Sequence, residues 1–176
     1  MRKIVICVVI TVITCTVAVS QPRAIGGRVA YGIGPSYQHG FGEKNMLQAD
    51  LDVVGFFGIQ LTATYNWLIP IKSWTGAGSW NLYAGVGAGG GYSWGWRTGG
   101  LNYYGYNSGY WGSNGFVGVA LMFGAEYNFK FPLQVFADWR PLICPRFYRG
   151  GHVDYFTPGL YASAFSVGAR YRFGNK

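Results

Sequence analysis

Long stretches of this chain alternate a bulky apolar residue with a small or polar one, and the charges inside those stretches fall on the second set alone. A period of two is the signature of β-strands, whose side chains point to opposite faces in turn. Eight strands are expected on this basis. The first runs from Arg28 to Gly34 and the second from Leu47 to Val53. The third, Ile59 to Ile69, sets Ile59, Leu61, Ala63, Tyr65 and Trp67 against Gln60, Thr62, Thr64 and Asn66. The fourth follows from Trp80 to Ala88, and a short fifth from Tyr92 to Arg97. The sixth, Val117 to Phe129, has the clearest pattern, and the seventh (Leu133 to Arg140) and eighth (Phe165 to Phe173) complete the set. Gly55–Gly58, Gly89–Gly91 and Lys130–Pro132 read as tight turns on one side. Tyr37–Asn45, Pro70–Ser79, Thr98–Asn114 and Leu142–Leu160 read as longer loops on the other.

A water-soluble sandwich fits this pattern poorly. Charged residues make up 11% of the chain, against about 25% in ordinary soluble domains. The second face is rich in Gly, Ala, Ser, Thr, Asn and Gln, so it makes a poor solvated surface but suits the interior of a narrow barrel. Beyond the N-terminus no run approaches the roughly 20 apolar residues of a spanning helix. A closed barrel is the remaining way to satisfy every backbone group in lipid. Arg28, Asp50, Asp52, Arg97, Glu126, Asp138, Arg140, Arg170 and Arg172 then share the inner face, where buried charges must pair, and an ion-pair network is expected there. Amphipathic rings favour both bilayer interfaces. Trp67, Trp80, Trp96 and Trp139 are expected as a girdle at the long-loop end, and Tyr92, Tyr127, Phe129, Tyr171 and Phe173 as one at the short-turn end.

Residues 1–20 form a separate unit. Met1-Arg2-Lys3 is positive, Ile4 to Val19 carries no charge, and Ala18-Val19-Ser20 offers small residues for cleavage. That is the pattern of an export signal. Its removal leaves one barrel domain, 21–176. Cys7 and Cys15 depart with it, so Cys144 remains alone and no disulfide can form within the domain.

Several stretches resemble a family of small outer-membrane β-barrel proteins, the wider OmpA/OmpX-like eight-stranded group of porin-family type. They are Ala24-Ile25-Gly26-Gly27-Arg28, Gly124 to Gln134, Asp138-Trp139-Arg140-Pro141 and Arg170-Tyr171-Arg172-Phe173. The resemblance implies an all-β, antiparallel, up-and-down transmembrane barrel in the outer membrane of a Gram-negative envelope. It also implies that an aromatic-ended last strand is read by the barrel-assembly machinery, although here Gly174-Asn175-Lys176 follow Phe173. No particular activity comes with it.

Chemistry-bearing motifs are sparse. Gly85-Val86-Gly87-Ala88-Gly89-Gly90 has the GxGxxG form, but neither a helix pattern nor a timely acidic residue follows, so lumen glycines entering a turn explain it better. His39 and His152 fall in expected loops, with Ser36 and Asp154 nearby, and neither spacing forms a recognised acid–base set. No cofactor, no metal and no catalytic residue is expected. Arg146, Arg149 and His152 could meet lipopolysaccharide phosphates. The basic residues form no stripe for nucleic acid. The expectation is a monomeric, non-enzymatic barrel with a filled lumen and a structural or surface-binding role, in contact with outer-membrane lipid and lipopolysaccharide. The alternatives are a lipid A-modifying enzyme and a small pore.

Overall fold

The structure, a computed structural model, describes residues 22–174 apart from 31, 43, 55–57, 72–75, 95–112, 150, 152 and 161–164. The expected export signal lies outside that range, as do Trp96, Arg97 and His152. Among the described residues there are ten strand segments: β1 (Arg23–Val29), β2 (Ile33–Phe41), β3 (Asn45–Val54), β4 (Gly58–Ile71), β5 (Gly78–Ser93), β6 (Asn114–Phe129), β7 (Leu133–Trp139), β8 (Leu142–Tyr148), β9 (Val153–Pro158) and β10 (Phe165–Phe173).

These segments make eight strands. β6 pairs with β7 through residues 123–128 and with β8 through 114–120 in one unbroken register, so β7 and β8 are one strand. The interruption falls at Arg140-Pro141, where proline has no N–H to give to the ladder. The Pro141 carbonyl still accepts from Leu121 N–H at 3.0 Å. β10 pairs with β7 and β9 with β8, so this last pair fills the eighth position, with residues 159–164 between them. Each strand lies antiparallel to its chain neighbours, and the β1–β10 pairing closes the ring.

Following paired residues around the ring measures its stagger. From Trp139 the path crosses Phe123, Ala84, Trp67 and Asn45 to Phe41, which lies two residues past His39, the partner of Arg23. In the other direction Trp139 pairs with Phe165, which lies two residues before Val167, the partner of Val29. The two levels reached on β1 therefore differ by ten residues. With eight strands at ordinary spacings, that stagger tilts the strands by about 40°. A barrel this narrow holds side chains rather than a wide channel.

The strand count agrees with expectation for compensating reasons. The expected Arg28–Gly34 strand is really a hairpin: β1 and β2 meet at residues 30–32, and the expected loop from Tyr37 to Asn45 is mostly strand. Conversely, the expected fourth strand and the start of the fifth are one continuous β5, which runs straight through Gly89-Gly90-Gly91. The expected loop Leu142–Leu160 contains β8 and β9. Prolines lie within the strand ladders. Pro35 lies inside β2, where the β2–β3 ladder skips from Ile33 to Ser36, and Pro145 sits at the β8–β9 register shift between Cys144 and Arg146.

These boundaries reassign the ends. β1 starts and β10 finishes at one end, here the terminal end, where residues 42–44, 72–77 and 130–132 connect strands. The far end carries the connections 30–32, 55–57, 94–113 and 149–152. The connections 55–57 and 130–132, expected together, thus lie at opposite ends, and only 94–113 is long.

Candidate functional site

The burial pattern is inverted relative to a soluble fold. Among the described residues, nineteen polar or charged side chains are buried against nine apolar ones. The outward positions carry Ile25, Val29, Leu61, Ile69, Val117, Val119, Phe123, Val135 and Val167, all exposed. On β4 the alternation is complete: Gly58, Gln60, Thr62, Thr64 and Asn66 are buried, and the residues between them are exposed.

At the centre of the lumen sits a charge network. Arg28 on β1 lies within 2.9 Å of Asp50, 3.2 Å of Asp52 and 3.5 Å of Asp138. Its Nε and Nη1 are close to their carboxylates but not aimed along the N–H direction, so these contacts are ion pairs rather than hydrogen bonds. Arg140 faces the same carboxylates from the opposite wall. It donates to Asp50 at 2.7 Å and makes a still shorter contact with Asp52. Ser166 joins Arg28 to Asp138 by accepting from one and donating to the other. Tyr83 donates to Asp138 at 3.3 Å.

Neither Arg170 nor Glu126 forms an ion pair with this cluster, and only Arg170 reaches it through a hydrogen-bonded intermediary. Arg170 donates to Ser36 Oγ at 2.9 and 2.8 Å, and Ser36 in turn donates to Asp50. Its guanidinium also lies 3.6 Å from the Phe136 ring centroid. Glu126 is buried among amides, accepting from Gln38 at 3.0 Å, Asn81 at 2.8 Å and Asn128 at 3.2 Å. Arg172 stands apart. It donates to the Phe129 carbonyl at 2.6 Å and to the Phe131 carbonyl at 3.3 Å, capping the 130–132 turn.

Small inner residues make room for these long side chains. A Cβ at Gly85 would overlap the Tyr65 carbonyl, one at Gly87 the Ala63 carbonyl, and one at Gly124 the Tyr83 ring. The GxGxxG run is therefore close strand packing inside β5 and does not lead into a turn. Above the ions, toward the far end, Phe116, Ala120, Leu142 and Cys144 form an apolar cluster with Leu160 against it. The backbone N–H of Leu160 donates to Gln60 Oε1 across the lumen at 2.7 Å, while Arg146 donates to the Pro158 and Gly159 carbonyls at 3.1 and 2.6 Å. These bonds draw the chain after β9 inward over the lumen.

The aromatic residues sort differently from expectation. Trp67 and Trp80 lie at the terminal end with Tyr127, Phe129, Tyr171 and Phe173, and the Trp80 and Tyr127 rings are 4.9 Å apart. Trp139 is not at an end. It stacks on Phe123 at 6.0 Å, beside Phe165 in the register. Tyr92 lies at the far end, 5.9 Å from Trp94. The inversion arises because the 55–57 and 130–132 turns face opposite ways. His39 lies on β2 rather than in a loop, between Tyr37 and Phe41 on the outward face.

Sequence reasoning missed Ser36, Tyr83 and Leu160. Ser36 carried a readable signal, since Ser36, Gln38 and Gly40 alternate with Tyr37, His39 and Phe41. Pro35 and the flanking glycines masked it. No group of three or more His, Cys, Asp or Glu among the described residues could hold a metal ion.

No protein-family model, curated protein or solved structure matches this chain.

Proposed function

We propose that this chain is a barrel of a bacterial outer membrane, exported by residues 1–20, with a structural or surface-presenting role and no catalysis of its own. The single observation that supports it is the inverted burial. Single exposed apolar residues are ordinary, but contiguous apolar surface beyond a few hundred Å² marks an interface. Here the exposed side chains on β1, β3, β4, β5, β6, β7 and β10 belong to a band running right round the wall. A partner that covers a whole circumference is a bilayer. Closure leaves no unpaired edge at the level where β1 meets β10, as hydrocarbon requires.

The OmpA/OmpX-like architecture suits this reading, with β1 starting and β10 finishing at one end and the long 94–113 connection joining strands at the other. By the usual asymmetry of such barrels the terminal end faces the periplasm. The ions tie β1, β3 and β7 together and fill the lumen, which favours a rigid closed body over a pore.

Expression in a Gram-negative host tests the proposal. The protein should sediment with the outer membrane, resist extraction by alkaline carbonate, and migrate faster on a detergent gel before boiling than after. Recovery in the soluble periplasmic fraction with no heat-dependent shift would refute it.

A further inference from the structure

The charges outside the lumen are distributed unevenly between the two ends. Four described cations ring the terminal end. Arg23 opens β1, Lys44 lies in the β2–β3 turn, Lys130 in the β6–β7 turn, and Arg172 near the end of β10. Lys44 and Lys130 are exposed. In sequence the three connections at this end carry Lys44, Lys72 and Lys130 against a single carboxylate, Glu43. Arg172 is held by the Phe129 and Phe131 carbonyls, which leaves Arg23, Lys44 and Lys130 at this end. At the far end Arg146 faces Asp154 across the β8–β9 ladder and is likewise held by carbonyls, leaving Arg149 as the exposed described cation there.

Among the described residues the same terminal end carries an extended aromatic belt. Trp80, Tyr127, Phe129 and Phe131 form a chain of rings at 4.9, 4.7 and 4.9 Å, and Trp67 and Tyr65 meet at 5.7 Å. Phe131 and Lys130 are neighbours in one turn, so ring and cation lie at the same level.

From this juxtaposition we infer that the terminal end is a binding surface for anionic glycerophospholipid headgroups, met on one side of the barrel by Lys44 beside Trp67 and on the opposite side by Lys130 beside Phe131. The inference rests on the membrane reading above and adds a preferred lipid and a preferred end. Amphipathic rings settle at headgroup depth, where a lysine in the next position of the chain meets lipid phosphate. Basic residues at an anionic surface each favour binding by about fivefold, and the effect decays within a Debye length. The terminal rim therefore draws phosphatidylglycerol over phosphatidylcholine, with no pocket required.

The test uses the full folded protein in vesicles of mixed phosphatidylglycerol and phosphatidylcholine, with one lipid or the other brominated to quench tryptophan. Wild-type fluorescence should be quenched more strongly by brominated phosphatidylglycerol, giving a relative binding constant several times one that falls in 0.5 M salt. Lys44→Gln with Lys130→Gln should bring the constant close to one, while Arg149→Gln at the far end should leave it unchanged. Both lysines are exposed in turns, and the gel shift confirms that each variant is folded. A wild-type constant of one in a heat-modifiable, inserted protein would overturn this inference and leave the membrane reading intact. Loss of the preference on Arg149→Gln alone would also overturn it. Failure to insert into vesicles at all would remove both.

Discussion

Replacing Arg28 with Met should destabilise the barrel by about 3–5 kcal/mol, measured as a shift in the urea unfolding midpoint by tryptophan fluorescence in detergent micelles. Arg28 is fully buried and lies beside three carboxylates, Asp50, Asp52 and Asp138, drawn from β3 and β7. The lumen already holds four buried carboxylates against three buried guanidinium groups (Arg28, Arg140 and Arg170). Removing Arg28 leaves four against two in a site that water reaches poorly. The cost is dominated by the stranded negative charge rather than by lost contact area, so Asp52→Asn in the Arg28→Met background should recover part of it. A double-mutant cycle then reports coupling between the two sites. Arg172→Met provides the contrast. That side chain touches two turn carbonyls at the rim, so its loss should cost about 1–2 kcal/mol.

The outward face should respond in the opposite chemical sense. Leu61 lies on β4, 57% exposed, between the terminal-end belt at Tyr65 and Trp67 and the far end of the strand. Leu61→Arg should cost about 2–4 kcal/mol in a bilayer, because a guanidinium at mid-depth must reach an interface or drag water inward. In a water-exposed position the same change would be near neutral. Leu61→Ala sharpens the contrast. A buried leucine in a packed core loses about 2–5 kcal/mol on truncation, much of it from the cavity left behind. Lipid chains refill the space at Leu61, so the loss should fall well below that range. Reversible folding into thin-bilayer vesicles, followed by tryptophan emission, measures both variants.

The parts of this fold that could be read from sequence are those in which alternation is unbroken. Residues 59–69 and 117–129 show large apolar side chains at every second position, and β4 and β6 follow that pattern. The inner placement of Arg28, Asp50, Asp52, Asp138 and Arg140 came from the same parity, and the structure brings these five into direct contact. Parity assigns a face. It does not say which inner groups touch, because that depends on the stagger between strands. Glu126 and Arg170 share the parity, yet one binds amides and the other reaches Asp50 only through Ser36.

Alternation marks faces but not where the chain turns. Val29, Tyr31 and Ile33 carry the alternation unbroken across the connection at residues 30–32, so the pattern shows a single strand where the chain forms the β1–β2 hairpin. Gly89-Gly90-Gly91 looked like a turn but continues β5, with Gly91 too close to the Ile59 carbonyl to carry a side chain. One misread hairpin reverses the direction of the strands between it and the next compensating error. That reversal brings Trp67 and Trp80 to the same end as Tyr127 rather than the opposite one.

A nitroxide scan along β4 tests the central claim most directly. Single cysteines at positions 59 to 66, in a Cys144→Ser background, would be spin-labelled in the protein folded into vesicles. Positions 59, 61, 63 and 65 should collide with lipid-soluble oxygen and be shielded from a water-soluble nickel chelate, while labels at 60, 62, 64 and 66 should be shielded from both. Strong nickel collisions at 61 and 63 would show that water, rather than hydrocarbon, covers the apolar side chains.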